Sequence, residues 1–249
     1  MGGALVGAVS KLKEHALYVA EPNAARRRAI CEAYGCLVAA ESDFGDCDVV
    51  FLGVKPQVLA DTVARLPLSA NALYISMAAG VSLAKLQQML PTGAPIVRIM
   101  PNTSVGVGEG MVLYCTGEQV SAEQEALFVS LLAKAGIVDK LDEKLIDAAS
   151  AVSGCGPAYV YMFIEALADG AVACGLPRDK ALLYAEQTLI GAATMAMHSA
   201  KHPEQLKDEV CSPAGSTIEG VHALEAGGMR AACINAVVAA YRRTKELGK

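Results

Sequence analysis

The order of apolar and polar positions divides the chain into two parts with different secondary structure. Up to about residue 142, short β-rich runs alternate with stretches of helical period. The runs predict strands at 16–21, 48–54, 72–77, 96–100, 110–115 and 137–141; the stretches between them predict helices at 24–34, 57–65, 83–90 and 121–135. Ser121 with Gln124 three residues on predicts a capping box for the last of these helices. This alternation predicts an α/β domain over residues 1–142, built on a parallel sheet covered on both faces.

The second part, residues 143–249, contains helical patterns only. They predict helices at 143–151, 157–174, 179–199, 203–210, 217–226 and 229–247. Gly175 and the pair Gly227-Gly228 mark helix ends. The helix over 179–199 is apolar around much of its circumference, which is typical of a helix buried in a core or in a subunit interface. We therefore predict an all-α second domain, joined to the first without a long linker.

Composition narrows the classes of function. Hydrophobic residues make up 53% of the chain and charged residues 19%, enough for a large core and a buried subunit interface. The net charge of −5 provides no basic field for nucleic acid. The longer apolar runs are short or interrupted by charges such as Glu165, and the start lacks the basic region of a signal peptide, so we expect no membrane span and no signal sequence. Eight cysteines without a Cys-x-x-Cys pair, and four histidines without metal spacing, predict reduced thiols in a cytoplasmic protein and no metal site.

Candidate cofactor residues follow three of the predicted strands. Ligands of such sheets bind beyond the carboxyl ends of the strands. The segment Val54-Lys55-Pro56 places Lys55 where it can meet a cofactor phosphate or ribose. The small residues Ala78, Ala79 and Gly80 would let a flat nicotinamide ring approach the backbone. Asn102 either binds the carboxamide or caps a turn. Three such strand ends at one edge predict a dinucleotide site.

The first residues add a further cofactor motif. Gly2 resembles the third glycine of a Gly-x-Gly-x-x-Gly loop, the one that allows close packing of helix on strand. The first strand and the first two glycines of such a loop would precede Met1, so we expect the sheet of this sequence to lack its first strand. Glu21 ends the next predicted strand about 20 residues on, where it would bind ribose hydroxyls and favour NADH. Arg26–Arg28 would instead favour the 2′-phosphate of NADPH, and both cofactors stay open.

A turn in the second part predicts the substrate class. Ser212, Pro213 and Gly215 precede a predicted helix that opens with the hydroxyls of Ser216 and Thr217. Unpaired N–H groups and the positive end of a helix dipole make such a turn suited to a small carboxylate. Together with the segment Ser153–Tyr159, the turn predicts an enzyme that acts on a small anionic metabolite.

Five segments carry a family resemblance: Gly53–Gln57, Met77–Val81, Arg98–Thr103, Ser153–Tyr159 and Ser212–Thr217. In order and spacing they resemble the segments of pyrroline-5-carboxylate reductases, over essentially the whole chain. The resemblance implies a Rossmann-like first domain and a helical second domain that interlocks with a partner, as a homodimer or larger oligomer. It implies reduction of 1-pyrroline-5-carboxylate to L-proline by NADPH or NADH, the last step of proline biosynthesis.

The resemblance also assigns roles to the turn. Thr217 is the catalytic candidate: its hydroxyl would bond the ring nitrogen, or cap the helix. The N–H groups of Gly215 and Ser216 would hold the substrate carboxylate, and Ser212 belongs to the same substrate set. Ala214 stands where many relatives carry glycine. If this position required a positive φ, alanine would strain the turn by roughly 1 kcal/mol. Cys155 replaces a common serine.

Two alternatives remain at this stage. A β-hydroxyacid dehydrogenase-like reductase needs a lysine general acid in its helical domain, and here Lys180 simply opens a predicted helix after a Pro-Arg-Asp turn. The other alternative is an inactive helical dimer whose nucleotide site is incomplete at its start. The presence of Lys55, Asn102 and the Ser212–Thr217 turn favours the active reductase.

Overall fold

The computed structural model describes residues 1–247 and divides the chain into two compact units. The first contains Met1–Pro157 and the end of the chain from Ala239, and the second contains Ala158–Val238. Helix α6, described below, buries Ile146 against Met100 and Leu113 of the sheet, so the first unit continues past residue 142. The predicted domain boundary at residue 142 stays a prediction.

The first unit begins with a helix and then alternates strands and helices. Its elements are α1 (Gly2–Ser10), β1 (Tyr18–Val19), α2 (Ala24–Tyr34), β2 (Leu37–Val38), a 3₁₀ helix (Glu41–Gly45), β3 (Val49–Leu52), α3 (Pro56–Arg65), β4 (Leu73–Ser76), α4 (Leu83–Met89), β5 (Ile96–Pro101), a second 3₁₀ helix (Thr103–Val107), β6 (Gly110–Thr116), α5 (Ala122–Leu131), β7 (Gly136–Lys140) and α6 (Glu143–Ser153). The sequence pattern missed β2 and both 3₁₀ helices, which are too short to show a period.

The main sheet has the order β3-β4-β5-β6-β7, and β1 pairs with β2 in a separate sheet. The pairs β3–β4, β4–β5 and β6–β7 are parallel, whereas β5 and β6 are antiparallel. The prediction of an entirely parallel sheet is therefore wrong at one strand pair. Only residues 102–109 connect β5 to β6, and a parallel crossover needs a dozen or more residues. The expected absence of a first strand stays a prediction.

Both faces of the sheet are covered, as the continuous apolar runs predict. On β4, Leu73 and Ile75 pack into a core with Leu5 of α1 and Phe128 of α5. Tyr74 points to the opposite face, into a second core formed with α3 and α4. This alternation follows from the two-residue period of a strand.

The predicted capping box is confirmed. Ser121 Oγ accepts a hydrogen bond from the Gln124 amide at 3.2 Å, and the Ser121 amide donates to Gln124 Oε1 at 3.0 Å. Helix α2 is also capped as its sequence favours, because Asn23 accepts from the Arg26 amide and Gly35 turns left-handed at φ 66°. Local side chains thus set these helix ends.

The remaining elements are helices α7 (Gly156–Ala173), α8 (Arg178–His198), α9 (Pro203–Val210), α10 (Ser216–Ala226) and α11 (Met229–Leu247). The apolar cluster of the second unit has only Ala168, Ala181 and Ala185 as its buried members. Large apolar side chains of α8 are instead exposed, including Ile190 at 60% and Met197 at 70%. Within its own unit, much of the apolar circumference of α8 is thus left uncovered by the described residues.

One stretch, Glu143–Ala173, is long and apolar enough to cross a membrane by length and composition alone. The sequence prediction of no span did not anticipate this. Within the stretch α6 ends at Ser153 and α7 begins at Gly156, and Glu143 and Asp147 of α6 pair with an arginine of the sheet. Such polar pairing is typical of a helix packed on a protein core.

Candidate active site

The strand register brings the three predicted cofactor segments to one edge of the sheet. Leu52, Ser76 and Arg98 form one row across β3, β4 and β5. Lys55 and Ala79 each follow this row by three residues, and Asn102 follows it by four. Because the three strands are parallel, the segments leave the same edge of the sheet.

The start of α1 lies at the same edge. A Cβ added to Gly53, just beyond β3, would be 3.7 Å from Gly2 Cα, and one added to Gly106 would be 3.9 Å from Ala4 Cβ. A Cβ added to Gly2 itself would meet nothing within 4 Å. The predicted packing role of Gly2 against a strand stays a prediction; Gly7 makes a close contact of α1 with helix α2, because its added Cβ would be 2.9 Å from the Tyr34 ring.

Glu21 follows β1 in the two-stranded sheet, and local contacts hold it. Its Oε1 accepts from the Asn23 amide at 3.0 Å, and its Oε2 lies 3.7 Å from Arg26 Nε. Arg27 Nη1 donates to the Glu21 carbonyl at 2.6 Å. Glu21, which would favour NADH, thus lies beside the arginines that would favour NADPH. This geometry excludes neither cofactor.

The Lys55 and Ala78–Gly80 segments follow β3 and β4 and contain exposed positions. Lys55 is exposed and is the N-cap residue of α3, with Pro56 in the first turn and Val54 half-buried before it. Ala78 is buried, Ala79 is exposed, and Gly80 turns left-handed at φ 74°. The open N-terminus of α3 and the exposed small turn fit an anionic, flat ligand such as a dinucleotide.

Asn102 is 8% exposed, and its side chain is engaged by the protein. Nδ2 donates to the Ser153 carbonyl at 3.0 Å, and Oδ1 accepts from the Met111 amide at 3.2 Å. The Asn102 side chain does not cap the 3₁₀ helix that it precedes, so the predicted capping role is wrong; it joins α6 to β6 instead, and its predicted cofactor role stays a prediction.

Arg98 is a buried residue of this unit that the sequence predictions missed. Its side chain is 4% exposed and donates to Glu143 Oε1 at 3.1 Å and Asp147 Oδ1 at 2.7 Å. Glu143 Oε1 also accepts from the Leu83 amide at 2.7 Å, and Lys245 Nζ lies 3.3 Å from Asp147 Oδ2. A charge inside the apolar run Ile96–Met100 was the available signal, because arginine is buried only when paired.

The Ser212–Thr217 turn belongs to the second unit. The Gly215 amide donates to the Ser212 carbonyl at 3.0 Å. This bond uses the N–H group that the sequence assigned to the substrate carboxylate, and it corrects that assignment. A Cβ on Gly215 would be 2.3 Å from Ser212 Oγ and 3.1 Å from the Ser212 carbonyl oxygen, so any larger residue would force the Ser212 side chain to turn away.

The helix that follows this turn is open at its N-terminus. Gly215 is the N-cap of α10, and no side chain hydrogen bond caps the helix within the described residues. Ser216 and Thr217, both exposed, begin its first turn. Thr217 therefore does not cap α10, and the N–H groups from Ser216 onward remain for a ligand.

Ala214, in the middle of this turn, has a φ of 56°. Position 214 therefore has the positive φ that the sequence analysis considered, and alanine here adopts the left-handed conformation that favours glycine. The strain of roughly 1 kcal/mol expected for it follows.

Helix α9 before the turn is held by charges. Lys207 Nζ and Arg230 Nη2 each lie 2.8 Å from Glu204 carboxylate oxygens. The hydrogen bond from Lys207 and then that from Arg230 lower the pKa of Glu204 to about 2. Lys180, the lysine of the alternative reductase, is exposed in the first turn of α8.

These features define the class of protein as a two-domain, nicotinamide-dependent oxidoreductase. The first unit has a sheet edge of the dinucleotide-binding type, and the second has an uncapped helix that begins with two hydroxyl residues. Comparison with known proteins narrows this class. A family model described as pyrroline-5-carboxylate reductase dimerisation matches residues 143–247, and one described as NADP oxidoreductase, coenzyme F420-dependent, matches residues 1–80. The Rossmann-like fold with a helical domain is thereby confirmed.

The chain belongs to the pyrroline-5-carboxylate reductase family. The reductase of Glycine max is 45% identical over 229 residues, which cover 90% of this chain and 83% of that relative. The reductase of Synechocystis is 45% identical over 236 residues, covering 94% and 88%. The crystal structure of the Plasmodium falciparum enzyme with NADP bound superposes with a TM-score of 0.89 at 31% identity, covering 100% of this chain and 95% of that one.

Proposed function

We propose that this protein reduces 1-pyrroline-5-carboxylate to L-proline with NADPH or NADH, the last step of proline biosynthesis. Family membership along almost the whole chain supports the reaction. The observation that carries the substrate site is the uncapped N-terminus of α10 behind the Ser212–Thr217 turn.

The cofactor site is proposed at the sheet edge. Lys55 and the N-terminus of α3 would hold phosphate, Glu21 would hold ribose, and Ala78–Gly80 would lie against the nicotinamide. A Cβ on Gly53 would lie 3.7 Å from Gly2 Cα, so backbone of α1 comes close to the end of β3, which suits a pyrophosphate held by backbone. The bound dihydronicotinamide supplies the hydride.

The substrate site is proposed at the Ser212–Thr217 turn. The free N–H groups of Ser216 and Thr217 would bind the carboxylate, with Ser212 beside them. The Thr217 hydroxyl would bond the ring nitrogen. That nitrogen gains amine character as its double-bonded carbon, C2 of the protonated pyrroline ring, accepts hydride, so a hydrogen bond placed there strengthens towards the transition state.

A homodimer is part of this proposal. Large apolar side chains of α7 and α8 are exposed, including Met162, Ile190 and Met197, and exposed apolar surface of this kind marks interaction sites. A second copy of the chain is the natural cover, because the dimerisation model of the family spans these helices. All eight cysteines are free thiols, which is consistent with a reducing cytoplasm.

Thr217→Ala tests the catalytic role. We expect kcat to fall about tenfold to a hundredfold with little change in KM, because water can partly replace the hydroxyl. Since the Thr217 side chain does not cap α10, the melting temperature should stay unchanged. Thr62→Ala is the matched control: this threonine of α3 bonds the Val58 carbonyl of its own helix. The assay follows proline formation from pyrroline-5-carboxylate with saturating NADPH, then NADH.

Unchanged kcat and kcat/KM in a folded Thr217→Ala protein would remove the hydroxyl from the mechanism. Absence of proline formation by the wild-type protein with either cofactor would refute the function itself. Light scattering at micromolar concentration tests assembly, and a monomer would contradict the proposed dimer.

A further inference from the structure

One face of β5 packs against helix α6. Arg98, Met100 and Asn102 alternate along the chain, so their side chains leave the same face. Helix α6 lies on that face: Arg98 pairs with Glu143 and Asp147 near its start, and Met100 packs in one cluster with Ile146. Ile146 and Asp147 lie three and four residues after Glu143, so all three positions are on one side of the helix.

Asn102 completes the row at the other end of α6. Its Nδ2 group donates to the carbonyl of Ser153, the last residue of the helix, at 3.0 Å. Its Oδ1 atom accepts from the Met111 amide of β6, which fixes the orientation of the side chain. A helix held by ion pairs at its start and by an amide at its end cannot slide along the strand.

The segment that leaves α6 is the Ser153–Pro157 turn, and its path depends on that helix end. The Cys155 amide donates to the Ser150 carbonyl at 3.1 Å. A Cβ on Gly154 would be 2.7 Å from Ser150 Oγ and 2.8 Å from the Ser150 carbonyl oxygen, so the chain passes too close for any side chain. At Gly156, which begins α7, an added Cβ would meet nothing within 4 Å, so the turn presents its other side openly.

We propose that Asn102 is a positioning residue: it sets the Ser153–Pro157 turn beside the cofactor edge of the sheet, instead of binding the nicotinamide carboxamide. The inference rests on the proposed function. Both polar groups of the Asn102 amide already have protein partners, and the residue is almost fully buried. A shift of the turn by an ångström is enough to change the rate of a reaction whose reactants must be aligned.

Asn102→Asp tests this role. The new carboxylate can still accept from Met111, but it sets an oxygen against the Ser153 carbonyl where a donor stood. We expect kcat/KM for pyrroline-5-carboxylate to fall about tenfold to a hundredfold at about pH 8, with the Kd of NADPH within about twofold of wild type. As pH falls, the carboxyl group of the variant takes up a proton and can donate to Ser153 again, so the ratio of variant to wild-type activity should rise.

The controls separate the possible outcomes. Asn71→Asp makes the same chemical change at an exposed position and should leave both constants unchanged. Gly154→Ala displaces the turn without touching Asn102 and should give the same loss in kcat/KM, which keeps the test available if the first variant fails to fold.

Three results would overturn the proposal: a tenfold weaker Kd of NADPH with unchanged turnover at saturating cofactor, normal kinetics with only a lower melting temperature, or normal kinetics in folded Gly154→Ala. Failure of the proposed function is distinct from these, because it would appear as absence of activity in the wild-type protein.

Discussion

Replacing Arg98 by methionine should destabilise the protein strongly. Arg98 is the buried cation that joins β5 to α6 through Glu143 and Asp147. Methionine fills much of the same space without charge or donors, so the change removes the interactions and little of the packing.

The structure sets the size of the effect. Two charged hydrogen bonds are lost, at about 1.5–3 kcal/mol each, which gives an upper value near 6 kcal/mol. Solvent relieves part of the loss, since the side chains of Glu143 and Asp147 are 33% and 14% exposed. Arg98 Nε, a buried donor without a partner among the described residues, is also removed. We therefore expect a loss of about 3 kcal/mol, near the lower end for a broken buried ion pair.

Urea unfolding followed by circular dichroism measures this loss, at one fixed protein concentration because an oligomer's stability depends on it. A loss of about 3 kcal/mol corresponds to a decrease of roughly 6–12 °C in melting temperature for a chain of this length. Lys245→Met is the matched control: Lys245 is the other cation on Asp147, but it is 48% exposed and 3.3 Å away. It should cost less than about 1 kcal/mol.

A loss below about 1 kcal/mol in Arg98→Met would refute the reasoning, as would an equal loss in Lys245→Met. The first result would mean that solvent reaches the ion pairs freely. The second would mean that charge, and not burial, sets the cost.

Three further substitutions test individual features. Ala214→Gly should raise the free energy of unfolding by up to about 1 kcal/mol, since it removes left-handed strain while adding freedom to the unfolded chain; no gain in urea unfolding would contradict this. Tyr114→Phe concerns alkaline stability: burial raises the pKa of Tyr114 to about 12, so its contribution is complete below about pH 10 and lost as pH rises towards 12. Melting temperatures of the variant should lack that part of the alkaline decline, and parallel pH curves would contradict the assignment. Gly136→Ala should cost more than about 2 kcal/mol, because its Cβ would lie 2.1 Å from the Gly110 carbonyl oxygen at φ 125°; an unchanged urea midpoint would show that the strand can move aside.

Local pattern was sufficient for most of the helices and strands. Helices α2, α9 and α11 have the predicted bounds, and the capping box at Ser121 is present. These features depend on neighbours within one or two turns, so the sequence carries their whole cause. Strand β2 was missed because its two residues are too few to show a period.

The candidate cofactor edge was also predictable, because strands that alternate with helices run parallel and end on one side. The prediction was wrong for the direction of β6, because the connection from β5 to β6 is too short for a parallel crossover. That length is visible in the sequence, but its meaning depends on which strands become neighbours.

The sequence by itself determined the elements, the two-part organisation, the family and the residue types at the sites. Only the tertiary structure decided which polar groups remain free. The Asn102 amide is taken by Ser153 and Met111, and the first turn of α10 is left without a side-chain cap among the described residues. The physical reason is that hydrogen bonds are allotted among groups brought together by folding. Asn102 and Ser153 lie far apart in the chain, so no local pattern records their partnership.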